Sequence, residues 1–267
     1  MQIDIDGRCV GYDDAGRGMP VVFLHGFPHD RSLWAQQRIA LSSRVRCIVP
    51  DLRGFGESDG VAHDVDTYAD DTVALLDALG VEDAIVCGLS MGGYIAMAMW
   101  RRHPTRVRGL VLCDTRAGAD TPEGRAARNA NIAKARDEGA AAIARAQIGK
   151  MVGEETTANR PDVVTTVKRM MERQSVAAIT GALQALRDRP DSRETVASIS
   201  VPTLVLVGEH DVLTPPADAE ELLALLPPRA DGRLETIAGA GHVSCLERPA
   251  AVTLALADFL ATFSQHG

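Results

Sequence analysis

A chain of 267 residues is long enough to bury a large core, and 46% hydrophobic with 24% charged residues is an ordinary globular composition. The formal charge of −8 argues against nucleic acid as a partner, because neutralising phosphates needs a basic surface. No apolar stretch approaches the roughly 20 residues of a membrane span, and the five cysteines are an odd number without metal-type spacing, so neither membrane nor metal is expected.

Met1-Gln2-Ile3-Asp4-Ile5-Asp6 alternates apolar and acidic residues as a half-exposed strand does. It has no basic n-region or apolar h-region, so a cytoplasmic protein is expected. A hairpin punctuated by Gly7, Gly11 and Gly16 leads to the apolar run 20–24, a buried strand ending in His25-Gly26-Phe27-Pro28, where glycine lets backbone come close. Trp34 lies in a helical stretch. Residues 45–50 form the next strand, ending in Asp51-Leu52-Arg53-Gly54-Phe55-Gly56-Glu57-Ser58, and residues 67–79 carry apolar side chains at helical spacing up to Gly80.

Between the apolar strand 84–87 and the apolar helix 94–100 stands Gly88-Leu89-Ser90-Met91-Gly92-Gly93. A chain reversing so sharply forces Ser90 into a sparsely populated backbone region, and side chains at 88 and 92 would collide with the neighbouring strand and helix. Glycine at both positions removes the collision. Taken alone, a glycine-flanked serine is also a plain turn, so the rest of the chain must decide.

Residues 107–113 give one more strand, ending at Asp114. Nearly unbroken apolar strands alternating with helices specify a parallel sheet covered on both faces. Three cysteines lie in or beside such runs, where cysteine is a small buried hydrophobe. From 116 to 190 the pattern changes to helices alone. Thr121 and Pro122 open one, Gly139 interrupts it, Pro161 opens another, and Ser175 caps a third. The segment 116–190 is therefore expected to be a helical cap set into a core of residues 1–115 and 191–267. Met151, Met170 and Met171 are candidates for its underside, although such methionines also serve as plain helix packing. The sheet resumes at 202–208, ending in Glu209-His210-Asp211. Thr214 reads as N-cap of a helix over 215–226, residues 233–237 form a last strand before Gly241-His242, and 249–263 is a closing helix.

A serine hydroxyl is nearly inert at neutral pH unless a base takes its proton, and that base needs a partner to fix its tautomer. Asp211 and His242 both follow strands, in the chain order serine, acid, histidine. Asp114 is the rival acid. His25, His29, His63, His103, His210 and His266 read as structural or solvated, with His25 bonded within its own loop, and Asp51 and Arg53 read as an ion pair.

On these residues the chain resembles the α/β-hydrolase family along its whole length. His25-Gly26-Phe27 is similar to the family's oxyanion loop, Asp51 through Ser58 to its D-x-R-G-x-G-x-S loop, Gly88 through Gly92 to its nucleophile elbow, Gly208-Glu209-His210-Asp211 to its acid turn, and Gly241-His242 to its histidine turn. The stretches 88–93 and 241–249 are similar to carboxylesterases and 3-oxoadipate enol-lactonases. The resemblance implies an α/β fold with a mostly parallel eight-stranded sheet and an inserted helical cap. It implies Ser90 as nucleophile, His242 as base and later acid, Asp211 as orienting carboxylate, and the backbone N–H groups of Phe27 and Met91 as oxyanion hole. Phe27, Met151, Met170, Met171 and Val243 are expected to meet the substrate. The expected reaction is hydrolysis of a small carboxylic ester or lactone through an acyl-enzyme, without cofactor. Alternatives are a carbon–carbon bond hydrolase of ring-cleavage products, a cofactor-free haloperoxidase or perhydrolase, and a non-catalytic binding protein on the same fold. The oligomeric state is left open.

Overall fold

In the computed structural model, which describes residues 1–265, eight strands form one sheet: β1 (Gln2–Ile5), β2 (Arg8–Ala15), β3 (Pro20–Leu24), β4 (Arg46–Pro50), β5 (Ala84–Leu89), β6 (Val107–Cys113), β7 (Thr203–Gly208) and β8 (Arg233–Ile237). Their order is β1-β2-β4-β3-β5-β6-β7-β8. β2 runs antiparallel to both neighbours, and every pair from β4 to β8 is parallel. Alternation along β3 explains the two-sided core. Val22 and Leu24 enter one cluster with Val86 of β5, while Val21 and Phe23 enter the other with Ile85 and Cys87. A strand buried on both faces needs an unbroken apolar run, which is what the sequence shows.

Helices α1 (Ala35–Leu41), α2 (Val65–Ala78) and α3 (Met91–Arg102) precede β6. Between β6 and β7 lie six more: α4 (Pro122–Glu138), α5 (Ala140–Met151), α6 (Glu154–Asn159), α7 (Pro161–Glu172), α8 (Val176–Asp188) and α9 (Arg193–Ser198). Thr121 caps α4 by accepting from Gly124 N–H, Ser175 caps α8 by accepting from Ala178 N–H, and Gly139 at φ 80° separates α4 from α5. The remaining helices are α10 (Pro216–Leu225), α11 (Ser244–Glu247) and α12 (Pro249–Ala261). The fully buried Glu247 ties this insert to the sheet's C-terminal edge, accepting from Gly153 N–H (2.8 Å) and Gly241 N–H (2.9 Å). Val243 N–H donates to Met151 C=O at 3.0 Å beside it.

Two local expectations are corrected. Asp51 does not pair with Arg53. Its carboxylate accepts from the backbone of Arg31, in the segment after β3, and of Glu57 in its own loop (2.8 Å each), and pairs with the Arg31 guanidinium, while Arg53 reaches Asp71 of α2 at 2.6 Å. Thr214 is not a helix cap, because Pro215 holds the N-cap position of α10 and the threonine hydroxyl is bonded elsewhere. All five cysteines are free, four of them buried. Among the described residues no helix is long and apolar enough to cross a membrane. His266 lies outside the described residues.

Candidate active site

Ser90 has φ 54° and ψ −111°, a region costing a non-glycine residue on the order of 1–3 kcal/mol. Packing over-determines it. A Cβ on Gly88 would stand 2.1 Å from Gly92 O at the start of α3, and one on Gly92 would stand 2.3 Å from Leu24 O of β3. Ser90 N–H donates to Cys113 O (2.8 Å), and Ser90 C=O accepts from Gly93 N–H (2.9 Å) and from the Thr115 hydroxyl (2.9 Å). The turn cannot relax, and Ser90 stays half exposed at the end of β5.

Its hydroxyl lies 2.9 Å from His242 Nε2, and His242 Nδ1 lies 2.8 Å from Asp211 Oδ2. A carboxylate only accepts, so the proton sits on Nδ1 and Nε2 is left as the base facing the serine. Asp211 is held in turn. Its Oδ1 accepts from Leu213 N–H (2.8 Å) and Thr214 N–H (3.0 Å), and its Oδ2 from the Thr214 hydroxyl (2.7 Å). Burial works against ionisation of Asp211, but His242 and the Thr214 bonds outweigh it, and its pKa falls below the usual carboxylate value. Burial likewise opposes charge on His242, yet Asp211 prevails and raises the imidazole above 6.5. Asp114, the rival acid, gives its oxygens to Gly208 N–H (2.8 Å) and the Ser244 hydroxyl (2.5 Å) instead.

The loop that follows β3 is fixed by His25, which is fully buried, bonded to Gly26 O at 2.9 Å through Nδ1 and accepting from Leu52 N–H at 3.0 Å through Nε2. It therefore bonds its own loop and the next one too. A Cβ on Gly26 would sit 3.3 Å from Ser90 Cβ, so this loop lies directly against the elbow. Phe27 N–H beside it and Met91 N–H at the start of α3 have no acceptor among the described residues. An orphan helix N-terminal donor next to a nucleophile is where a developing negative charge is best received. His29 stays neutral nearby, its pKa lowered to about 3 by burial and by His25 and His242.

A cavity of about 130 Å³ opens over Ser90 and His242, and Phe27 and Met151 line it. Met170 and Met171 do not. Both sit in the core cluster that α7 shares with Val163 and Val167, and Val243 is fully buried behind the cavity. The insert instead contributes Arg116, Arg128, Gln147 and Leu186, and α3 contributes Tyr94. No sequence signal marked these, since arginine and glutamine in an alanine-rich helix ordinarily face solvent. Among the described residues no group of three or more metal-ligating side chains is close enough to hold a metal ion.

Residues 19–249 match the family described as alpha/beta hydrolase fold. The AB hydrolase superfamily protein YisY of Bacillus subtilis is 33% identical over 92% of this chain and 93% of its own. A thermophilic esterase from Thermogutta terrifontis, solved with malate bound, superposes with a TM-score of 0.94 at 37% identity, covering 98% of both chains. The enol-lactonase from Burkholderia xenovorans gives 0.90 at 29% identity, over 98% of this chain and 100% of its own.

Proposed function

The chain belongs to the α/β-hydrolase family, and from that premise we propose that it hydrolyses small carboxylic esters or lactones through an acyl-enzyme on Ser90. Ser90 Oγ attacks the carbonyl carbon as its proton passes to His242 Nε2. The carbonyl oxygen becomes an oxyanion, accepting from Phe27 N–H and Met91 N–H. His242 then gives the proton to the departing alkoxide, leaving Ser90 acylated. A water molecule repeats the sequence in reverse roles: His242 takes its proton, the hydroxide attacks the acyl carbon, and the proton returns to Ser90 as the acid leaves. Asp211 remains ionised throughout and stabilises the imidazolium.

The observation that carries this reading is the unbroken line Ser90–His242–Asp211, with bonds of 2.9 and 2.8 Å, beside two unpartnered N–H donors. The names of the two solved relatives, an esterase and an enol-lactonase, support the ester or lactone class. The segment 116–190, with its helices α4 to α8, acts as the cap that closes the site. Ser90→Ala is expected to abolish ester hydrolysis and labelling by a serine-directed phosphonate while leaving the fold unchanged by circular dichroism. Turnover or labelling persisting in that variant would remove Ser90 from the reaction.

A further inference from the structure

Arg116 and Arg128 line the same cavity as Ser90 and His242, and the chemistry above uses neither. With Arg189 they surround one carboxylate, Asp120, and a second, Asp218, stands 4.0 Å from Arg116. Arg189 is scaffold. Its side chain is 2% exposed, it donates to Asp120 (2.6 Å), Leu186 O (2.7 Å) and Gly118 O (2.9 Å), and its guanidinium lies 4.3 Å over the Tyr94 ring. The other two are only partly engaged. Arg128 donates to Asp120 through Nε alone (3.0 Å) and Arg116 through Nη2 alone (3.2 Å). Both terminal nitrogens of Arg128 and Nη1 of Arg116 therefore have no hydrogen-bond acceptor among the described residues, and Gln147 on the same wall makes no hydrogen bond among them.

Arg116, Arg128 and Arg189 face Asp120 and Asp218, and the ionised Asp211 also acts on Asp218, so what the wall offers an anion is its unpaired donors rather than an excess of charge. Guanidinium cannot shed its proton, so these donors stay available to an accepting anion across the working pH range. We infer that this cavity takes a substrate bearing a carboxylate on the part remote from the scissile bond, received by the free nitrogens of Arg128 and Arg116 with Gln147 beside them. The cavity of about 130 Å³ is close to the volume of about 150 Å³ that holds one benzene, so the chain joining carboxylate to ester is short. The planar fork of arginine suits a carboxylate through two parallel bonds. The inference rests on the serine chemistry for where the scissile carbonyl lies, though not for the anion contact itself.

Ethyl butanoate and monoethyl glutarate differ only by a terminal carboxylate, so the ratio of their kcat/KM values reads the contact. The parent is expected to favour monoethyl glutarate by about tenfold or more, the effect of one hydrogen bond to a charged group, mainly through KM. Arg128→Gln should bring the ratio to about one, and Arg128→Lys should restore part of it. Asp120 keeps Arg116 and Arg189 in either variant, so the fold is expected to survive. A parent that prefers the neutral ester, or an Arg128→Gln variant slowed equally on both esters, would overturn the proposal. Calorimetry separates it from the reaction: monoethyl glutarate should bind Ser90→Ala protein about tenfold or more tightly than it binds Ser90→Ala/Arg128→Gln. Equal binding by the two proteins overturns the anion site. Unequal binding in a parent that turns over neither ester supports the anion site and sinks only the serine chemistry.

Discussion

Two buried carboxylates lie near His242, and their surroundings drive them apart. Asp211 is bonded to the imidazole at 2.8 Å and stays ionised, whereas Asp114 makes no bond to it, and burial with the charge of Asp211 outweighs His242 and raises Asp114 to about 8. At pH 7 Asp114 therefore carries a proton, and an amide is its near isostere. Asp211→Asn is expected to lower kcat by about 10⁴-fold, as when an amide holds the histidine of a serine protease in the wrong tautomer. Asp114→Asn should cost less than about tenfold, since it removes no bond to the imidazole. Steady-state kinetics of both variants decide it, and the reverse ranking would move the orienting acid to β6. The sign of the pH dependence follows from the same pair. His242 must be neutral to act as base, and its pKa is raised, so kcat/KM should climb with pH through a midpoint above 6.5. In Asp211→Asn the burial of the ring is opposed only by the lesser charges of Asp114 and Glu247, and that midpoint should fall. A parent midpoint below 6.5 would contradict the assignment.

At the scale of elements, the site is assembled from segments that must arrive together. The elbow joins β5 to α3 only because Gly88 and Gly92 let helix and strand backbones approach to distances no Cβ would permit. That much was readable from the Gly88-Leu89-Ser90-Met91-Gly92 stretch itself. The role of Glu247 was not, because its two partners, Gly153 and Gly241, are 94 and 6 residues away and carry no side chain to signal a bond. One buried carboxylate thus fixes the start of α6 and the loop before His242 together. Glu247→Ala leaves two buried N–H groups unpaired, and at about 1–3 kcal/mol for each the fold should lose about 2–6 kcal/mol. Glu247→Gln, which keeps one acceptor oxygen, should lose less. Urea unfolding measures both. Because Gly241 precedes His242, kcat of the folded Glu247→Ala protein should fall as well, and an unchanged kcat would show that this bond does not position the imidazole.

Considered as a whole molecule, the chain places a small cavity between a rigid sheet edge and an insert bolted to it at Val243 and Glu247. A cavity of about 130 Å³ has little room beyond the reacting group, so kcat/KM should peak at acetate to butanoate esters and fall toward palmitate, with no jump in rate above the micelle threshold. A maximum at long chains would show that the insert swings open as a lipase lid. Met151, Met170 and Met171 were expected on the underside of the insert, and the difference from the lining found marks where sequence reasoning ends. Unbroken apolar runs, Gly and Pro punctuation, and the chain order of Ser90, Asp211 and His242 were all legible, because strand burial and turn geometry are settled within a few residues. That His242 reaches both Ser90 and Asp211, and that Asp51 turns to Arg31 rather than Arg53, depends on how distant loops meet at the ends of β4, β5, β7 and β8. Which insert residues face the cavity depends on the rotation of each helix about its own axis. That rotation turned Met151 and Arg128 inward to the site and Met170 and Met171 into the core. It is fixed by packing against the rest of the fold, and no local stretch of chain encodes it.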